Sequence, residues 1–328
     1  MLIRDMPDLK NLAGFVTRNL SFDTLAPAID LAQSKYLVPV LGQAFFDQID
    51  EAFRPQAGQI GDEMLRSLAS KLRLALASYA LMEAMPTLPL QIGDLGVMME
   101  QGSGMAPADR FALADAQRSL AQTADFYLEA ALAYLEQNKS AYPTWLSSQT
   151  YAETRRHLVA SAGEYGFQVS CQQPLRVFFA LRVHLLECQG RELLPVLGRE
   201  LMAELTQAWA DGPLPDRLEG LRLQSVPVLA LAATLSGYRS LTVSISPTGP
   251  LVYSFTGGYK ADTPASAEQS SRLLEDLRDR LAFAKGQLVR FLEQNAESYP
   301  LYDPQIGKGT SAPARLPSND PNQSVFSL

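Results

Sequence analysis

Apolar positions recur at intervals of three and four along most of this chain, and each such run ends at proline or glycine. Leu65, Leu68, Leu72, Leu76 and Tyr79 share one face of a helix expected over Asp62–Met85. Leu25, Ile29 and Leu31 line an earlier helix that Ser21 or Asp23 would cap, ending near Leu37, with a new one starting at Pro39. Leu113, Leu120, Ala124, Tyr127, Leu132 and Leu135 follow Ala106–Asp109 in a long helix that Pro143 stops. The second half has the same pieces: a helix over Leu175–Cys188, a break at Pro195, and a long helix from Ala265 to about Ala296. Two segments change period from helical to alternating. Leu88–Met99 around Gly93-Asp94 and Leu241–Phe255 around Pro247-Thr248-Gly249-Pro250 read as short hairpins.

The pieces repeat in order. Tyr36-Leu37-Val38-Pro39-Val40-Leu41-Gly42 returns as Glu192-Leu193-Leu194-Pro195-Val196-Leu197-Gly198, a shift of 156 residues from Pro39 to Pro195. Tyr134-Leu135-Glu136-Gln137-Asn138, followed by Tyr142-Pro143, returns as Phe291-Leu292-Glu293-Gln294-Asn295 with Tyr299-Pro300, a shift of 157 from Glu136 to Glu293. Two matches at nearly one offset point to an internal duplication. The expected fold class is mainly α with short β-hairpins, in two similar helical-bundle domains. The first unit spans 1–147, the second 148–304, and 305–328, rich in Pro, Gly, Ser and Asn, is expected to be a flexible tail.

Composition narrows the function. With 328 residues and 47% apolar content, each half has enough material for its own core. A net charge of −7 argues against a general nucleic-acid coat, which needs a dense basic surface. Two cysteines supply no disulfide framework. Arg4, Asp5, Asp8 and Lys10 interrupt any signal-like apolar start, and Val226–Leu235 is about half a membrane span. These features lead to the expectation of a soluble cytoplasmic protein.

Sites for chemistry are sparse. His184 and Cys188 are four apart on an expected helix with Cys171 nearby, but zinc takes four ligands in recognisable pairs, so a small buried thiol beside a half-exposed imidazole is the preferred reading. Gly102-Ser103-Gly104 lacks the spacing of a nucleophile elbow, and Gly257-Gly258-Tyr259-Lys260 lacks the Ser or Thr of a phosphate loop. Asp47, Asp50 and Glu51, Asp276 and Asp279, and the basic run Arg155-Arg156-His157 read as solvated helix faces. The expectation is no enzyme, with catalytic residues, cofactor and metal all none.

Each half resembles the small helical head–tail connector (adaptor) proteins of tailed phages and prophages. The whole chain resembles a family of uncharacterised two-unit proteins from prophage regions. The likeness rests on Tyr36–Gly42 with Phe45-Phe46, on the helix Leu25–Lys35, and on the long helix ending at Tyr142-Pro143; Leu193–Gly198 and Tyr299-Pro300 repeat them. It implies a structural assembly protein working through protein–protein interfaces, located in the host cytoplasm or the virion neck. The implied partners are portal or tail proteins and copies of itself, with DNA met only in passage or by a weak local contact, and with no membrane and no small-molecule substrate. The two hairpins would be the reaching elements, since a strand edge can pair with a partner. Their interface candidates are Leu90, Ile92 and Val97 in the first unit. Val243, Ile245, Leu251, Tyr253 and Phe255 are those of the second. The alternatives are a monomeric protein-binding module and an enzyme with an unrecognised helical active site.

Overall fold

Each unit is organised around a proline that a helix passes through without ending. The structure, a computed structural model, describes residues 2–14, 21–52, 63–87, 90–93, 96–99, 110–169, 171, 174–246, 249–252 and 266–303. The first unit holds α1 (Met6–Leu12), α2 (Phe22–Ala32), α3 (Val38–Leu41), α4 (Gln43–Ala52), α5 (Glu63–Ala84) and α6 (Arg110–Gln137). Two short helices, α7 (Pro143–Leu146) and α8 (Gln149–Thr154), lead into the second unit. That unit holds α9 (Ala162–Val169), α10 (Pro174–Cys188), α11 (Leu194–Leu197), α12 (Arg199–Asp211), α13 (Asp216–Thr242) and α14 (Ala267–Gln294).

Proline has no N–H to donate, and its ring presses on the carbonyl four residues earlier. The chain answers by widening one turn. Gln33–Leu37 and Gln189–Leu193 are π-helical, with the Val38 N–H donating to the Gln33 carbonyl and the Leu194 N–H to that of Gln189. The helix therefore runs on to Leu41 and to Leu197, and does not stop near Leu37 as the sequence reading had it. The break is made by Gly42 and Gly198, whose φ of 80° and 78° lie where side-chain-bearing residues are strained.

The copies agree down to the backbone. Asn138 and Asn295 close α6 and α14 with φ/ψ of −114°/23° and −117°/28°. Each side-chain amide donates back to a carbonyl four residues earlier, Tyr134 at 2.9 Å and Phe291 at 2.8 Å. Tyr142 and Tyr299, both buried, follow with −122°/67° and −123°/68°. The internal duplication is thus a property of the structure as well as of the sequence.

A third correspondence has no counterpart in the sequence reading. The fully buried Leu2-Ile3 is answered by Leu158-Val159. In the first unit the Arg73 guanidinium of α5 donates to the Leu2 carbonyl at 3.0 Å and to Asp8. In the second, Arg222 of α13 donates to the Leu158 carbonyl at 2.9 Å and forks onto Glu164 at 2.9 and 3.0 Å. The acids themselves turn back to accept backbone N–H groups, Asp8 from Arg4 and Glu164 from Ala160. An arginine on the central helix thereby ties down the start of each unit.

The fold class needs correction. The body is helical: α5 packs on α6 and α2, and α13 packs on α14, α10 and α9. The segments expected as hairpins of the fold contribute no sheet layer. What the backbone shows there is one four-residue antiparallel ladder per unit, β1 (Leu90–Gly93) with β2 (Gly96–Met99), and β3 (Val243–Ser246) with β4 (Gly249–Val252). The expected strand residues Leu241 and Thr242 belong to the end of α13. A ladder of this length makes no core of its own, whereas the apolar stripes of the long helices bury the core residues Leu72, Leu76, Leu128, Leu135, Leu221, Leu229, Leu288 and Leu292. Residues 305–328, expected to be a flexible tail, lie outside the described residues.

One stretch of α13, Asp216–Tyr238, is long and apolar enough to cross a membrane, with mean hydropathy 1.2, but 67% of it is buried inside the protein. It is the central helix of the second unit.

Burial of the Arg222 head group sets a stability test. Its side chain is 6% exposed and holds Glu164, Glu219 and the Leu158 carbonyl together. Arg222→Met leaves those acceptors unanswered and is expected to cost about 3 kcal/mol in denaturant unfolding. Arg272→Met, which breaks an open-surface pair with Glu268, should cost under about 0.5 kcal/mol by the same measurement.

Candidate functional site

The two units meet along a seam, and the short helices α7 and α8 fix it. Trp145 and Tyr151 are buried against each other, with ring centroids 4.6 Å apart. From the end of α8 the Arg155 guanidinium turns inward. It donates to the Tyr151 hydroxyl at 2.9 and 2.6 Å and to Glu136 of α6, and its carbon lies 3.9 Å over the Trp209 ring of α12. Arg222 stands 4.9 Å from the centre of the same ring. The Trp209 indole N–H donates to the His157 carbonyl at 3.0 Å. Arg155 thus binds α6 of one unit to α12 of the other, a cation–π and hydrogen-bonded contact shielded from water.

This corrects the reading of Arg155-Arg156-His157 as a solvated face, which holds for exposed Arg156 alone. Arg155 is 5% exposed and His157 1%. Among the described residues neither ring nitrogen of His157 meets a hydrogen-bond partner, and the ring stands edge-on to Phe178 at 5.5 Å. Burial first, and the charge of Arg182 second, push its pKa down to about 4, opposed but not offset by nearby backbone at Val159 and His157 itself.

Along the seam lies a groove of about 370 Å³. One wall comes from the π turn and α3 with α5 and α6, namely Lys35, Tyr36, Pro39, Val40, Tyr79, Asp125 and Leu128; the other is the α10 face Leu175, Arg176, Phe179 and Arg182. Tyr36 and Tyr79 stack at 4.0 Å with planes 9° apart. The Tyr79 hydroxyl donates to buried Asp125 at 2.6 Å, and Arg176 donates to the other Asp125 oxygen at 2.5 Å. Lys35 and the Tyr36 hydroxyl both donate to Glu83, at 2.7 and 2.5 Å. Burial and the bond to Asp125 raise the Tyr79 pKa, so its hydroxyl stays protonated as a donor. Beside the groove a smaller cavity of about 120 Å³ is lined by Val40, Glu129, Leu132, Trp145 and Phe178. Burial, then the charge of Asp125, raise the Glu129 pKa above the ordinary carboxylate range.

The sequence reading missed this cluster. Its one visible signal was Asp125, an acid set beside the apolar stripe Leu120, Ala124, Leu128 and Ala131 of α6. The residues that were singled out fall elsewhere. Leu90, Ile92, Val97, Val243, Ile245 and Leu251 lie on the short ladders, where only the backbone is described, and Tyr253 and Phe255 lie outside the described residues. His184 and Cys188 are not brought together as a metal pair. His184 faces Ser236 at 3.3 Å and Glu187 at 3.4 Å, while buried Cys188 accepts from Arg191 at 3.4 Å and burial raises its pKa to about 11. Among the described residues no group of three or more His, Cys, Asp or Glu is placed to hold a metal ion.

The model described as "Family of unknown function (DUF6712)" matches residues 37–155 and again 193–311, together more than half of the chain. The chain belongs to this family. The two matches start 156 residues apart, the same spacing that separates Pro39 from Pro195 and Gly42 from Gly198, so the family's unit is present twice. No curated protein and no solved structure matches the chain.

His157 generates a pH prediction for this family member. Its folded pKa, about 4, lies below the ordinary 6.5, so the unfolded chain binds the extra proton between those values. Stability from this group is present above pH 6.5 and is lost as pH falls towards 4, by about 3 kcal/mol in all. His157→Phe should flatten that part of the pH–stability curve, measured by chemical unfolding from pH 7 to 4.

Proposed function

We propose that this protein is a structural assembly protein of a phage or prophage neck, of the head–tail connector (adaptor) kind, acting through protein–protein interfaces. The observation that carries this reading is a repeated surface residue. Phe126 on α6 is 66% exposed, and Phe283, at its equivalent place on α14 157 residues later, is 68% exposed. A single exposed apolar side chain is ordinary on any surface. The same phenylalanine left in water at the same place in both copies is different. Residues around it have diverged, such as Asp125 against Ala282 and Leu128 against Lys285, and neither ring is buried in its unit's core. Large aromatics at fixed places are what a protein interface uses as anchors. Two equal anchors on one chain suit a repeated partner, such as copies of this chain or a portal or tail ring.

The test is solution mass by sedimentation over a wide concentration range, alone and mixed with portal and tail proteins. The native chain is expected to form larger species in at least one of these conditions. The double variant Phe126→Glu, Phe283→Glu should weaken that association at least tenfold with unchanged helical circular dichroism. A strict monomer under every condition would overturn the reading and favour a monomeric binding module.

A further inference from the structure

The seam groove holds an unbalanced positive charge. Of its three cations, Lys35 is paired with Glu83 at 2.7 Å and Arg176 with Asp125 at 2.5 Å. Arg182, half-buried on α10, makes no hydrogen bond or ion pair among the described residues. Its guanidinium sits 5.7 Å from the Phe179 ring centre, and Glu153 acts on it only at a distance. Burial lowers its pKa, with Glu153 opposing. Guanidinium cannot shed its proton near neutral pH, so this half-buried one keeps its charge and its donors available to an incoming anion. Around it the groove is apolar, with Val40, Leu128, Leu175 and Phe179 beside the stacked pair Tyr36 and Tyr79.

We propose that this groove binds one organic carboxylate, with Arg182 holding the carboxylate and the apolar wall taking the body of the ligand. The planar fork of a guanidinium matches the two oxygens of a carboxylate. The charge count selects the class: the one cation of the groove left unpaired among the described residues is neutralised by a monoanion, while a phosphate monoester brings about 1.5 to 2 negative charges. The volume of about 370 Å³ admits a ring or a short chain, in the range of small-ligand pockets. The carboxylate can come from a free organic acid or from the end of a peptide. The site does not involve Phe126 or Phe283, so it stands independently of the assembly reading.

The experiment uses the full chain with benzoate, N-acetylphenylalanine and inorganic phosphate at matched ionic strength, following thermal unfolding and the NMR resonance of the Arg182 Nε–H. At least one carboxylate should raise the unfolding temperature and shift that resonance. Protection by benzoate points to a free acid, and protection by N-acetylphenylalanine alone to a peptide end. Arg182→Gln should weaken binding at least tenfold, and Arg182→Lys should restore part of it. The resonance needs no variant, so a Gln variant that fails to fold does not remove the test. Equal binding by native and Gln chains, an unmoved Arg182 signal, or protection by phosphate equal to that by the carboxylates would overturn the proposal.

Discussion

An arginine side chain inside a protein stays charged, and this chain accommodates that requirement at three places. Arg73, Arg155 and Arg222 each carry a guanidinium into the helical body, and each is met by a carboxylate together with a carbonyl or an aromatic ring. Arg73 and Arg222 determine where each unit begins, because the carbonyls they need are those of Leu2 and Leu158. Arg155 determines how the units meet, because its partners Glu136 and Trp209 belong to different ones. Removing a partner of Arg155 or Arg222, whose side chains are 4% and 6% exposed, strands a charge in a medium that cannot solvate it.

The seam is also where the copies stopped being equivalent. Tyr79 and Asp125 of the first unit have Val228 and Ala282 at the matching places of the second, and Glu83 has Ala232. The second unit places its charges differently: Glu192, at the position of Tyr36, pairs with Arg191 and with Lys285. The polar groove with its stacked tyrosines therefore belongs to the first unit and is closed by α10 of the second. Duplication supplied two copies of one scaffold, and divergence at a few positions facing the seam produced a single groove.

Much of this was legible in the residues. The two matches around Pro39 and Pro195, and around Glu136 and Glu293, located the duplication because proline, glycine and asparagine act on their own backbone and so repeat as visible motifs. The arginine clamps stayed hidden for a physical reason. Arg73 and Arg222 are 149 residues apart, since the connection before α13 is shorter than the one before α5, and their partners are backbone carbonyls that any sequence supplies. The reading of Arg155-Arg156-His157 as a solvated face failed similarly, because charge predicts exposure only when no partner waits inside. The hairpins were over-read because alternation of apolar residues marks a strand locally without saying whether a sheet will receive it.

By itself the sequence determined the helices and the fact that one unit occurs twice, because the first follows from apolar spacing within a few residues and the second from short motifs that recur in order. Only the tertiary structure decided which arginines would be buried, that His157 would lie neutral with no hydrogen-bond partner among the described residues, and that Lys35, Tyr79, Asp125 and Arg182 would border one groove. Those outcomes depend on contacts between residues from about 20 to about 150 positions apart, and burial and charge pairing at such distances are properties of packed surfaces that no local pattern records.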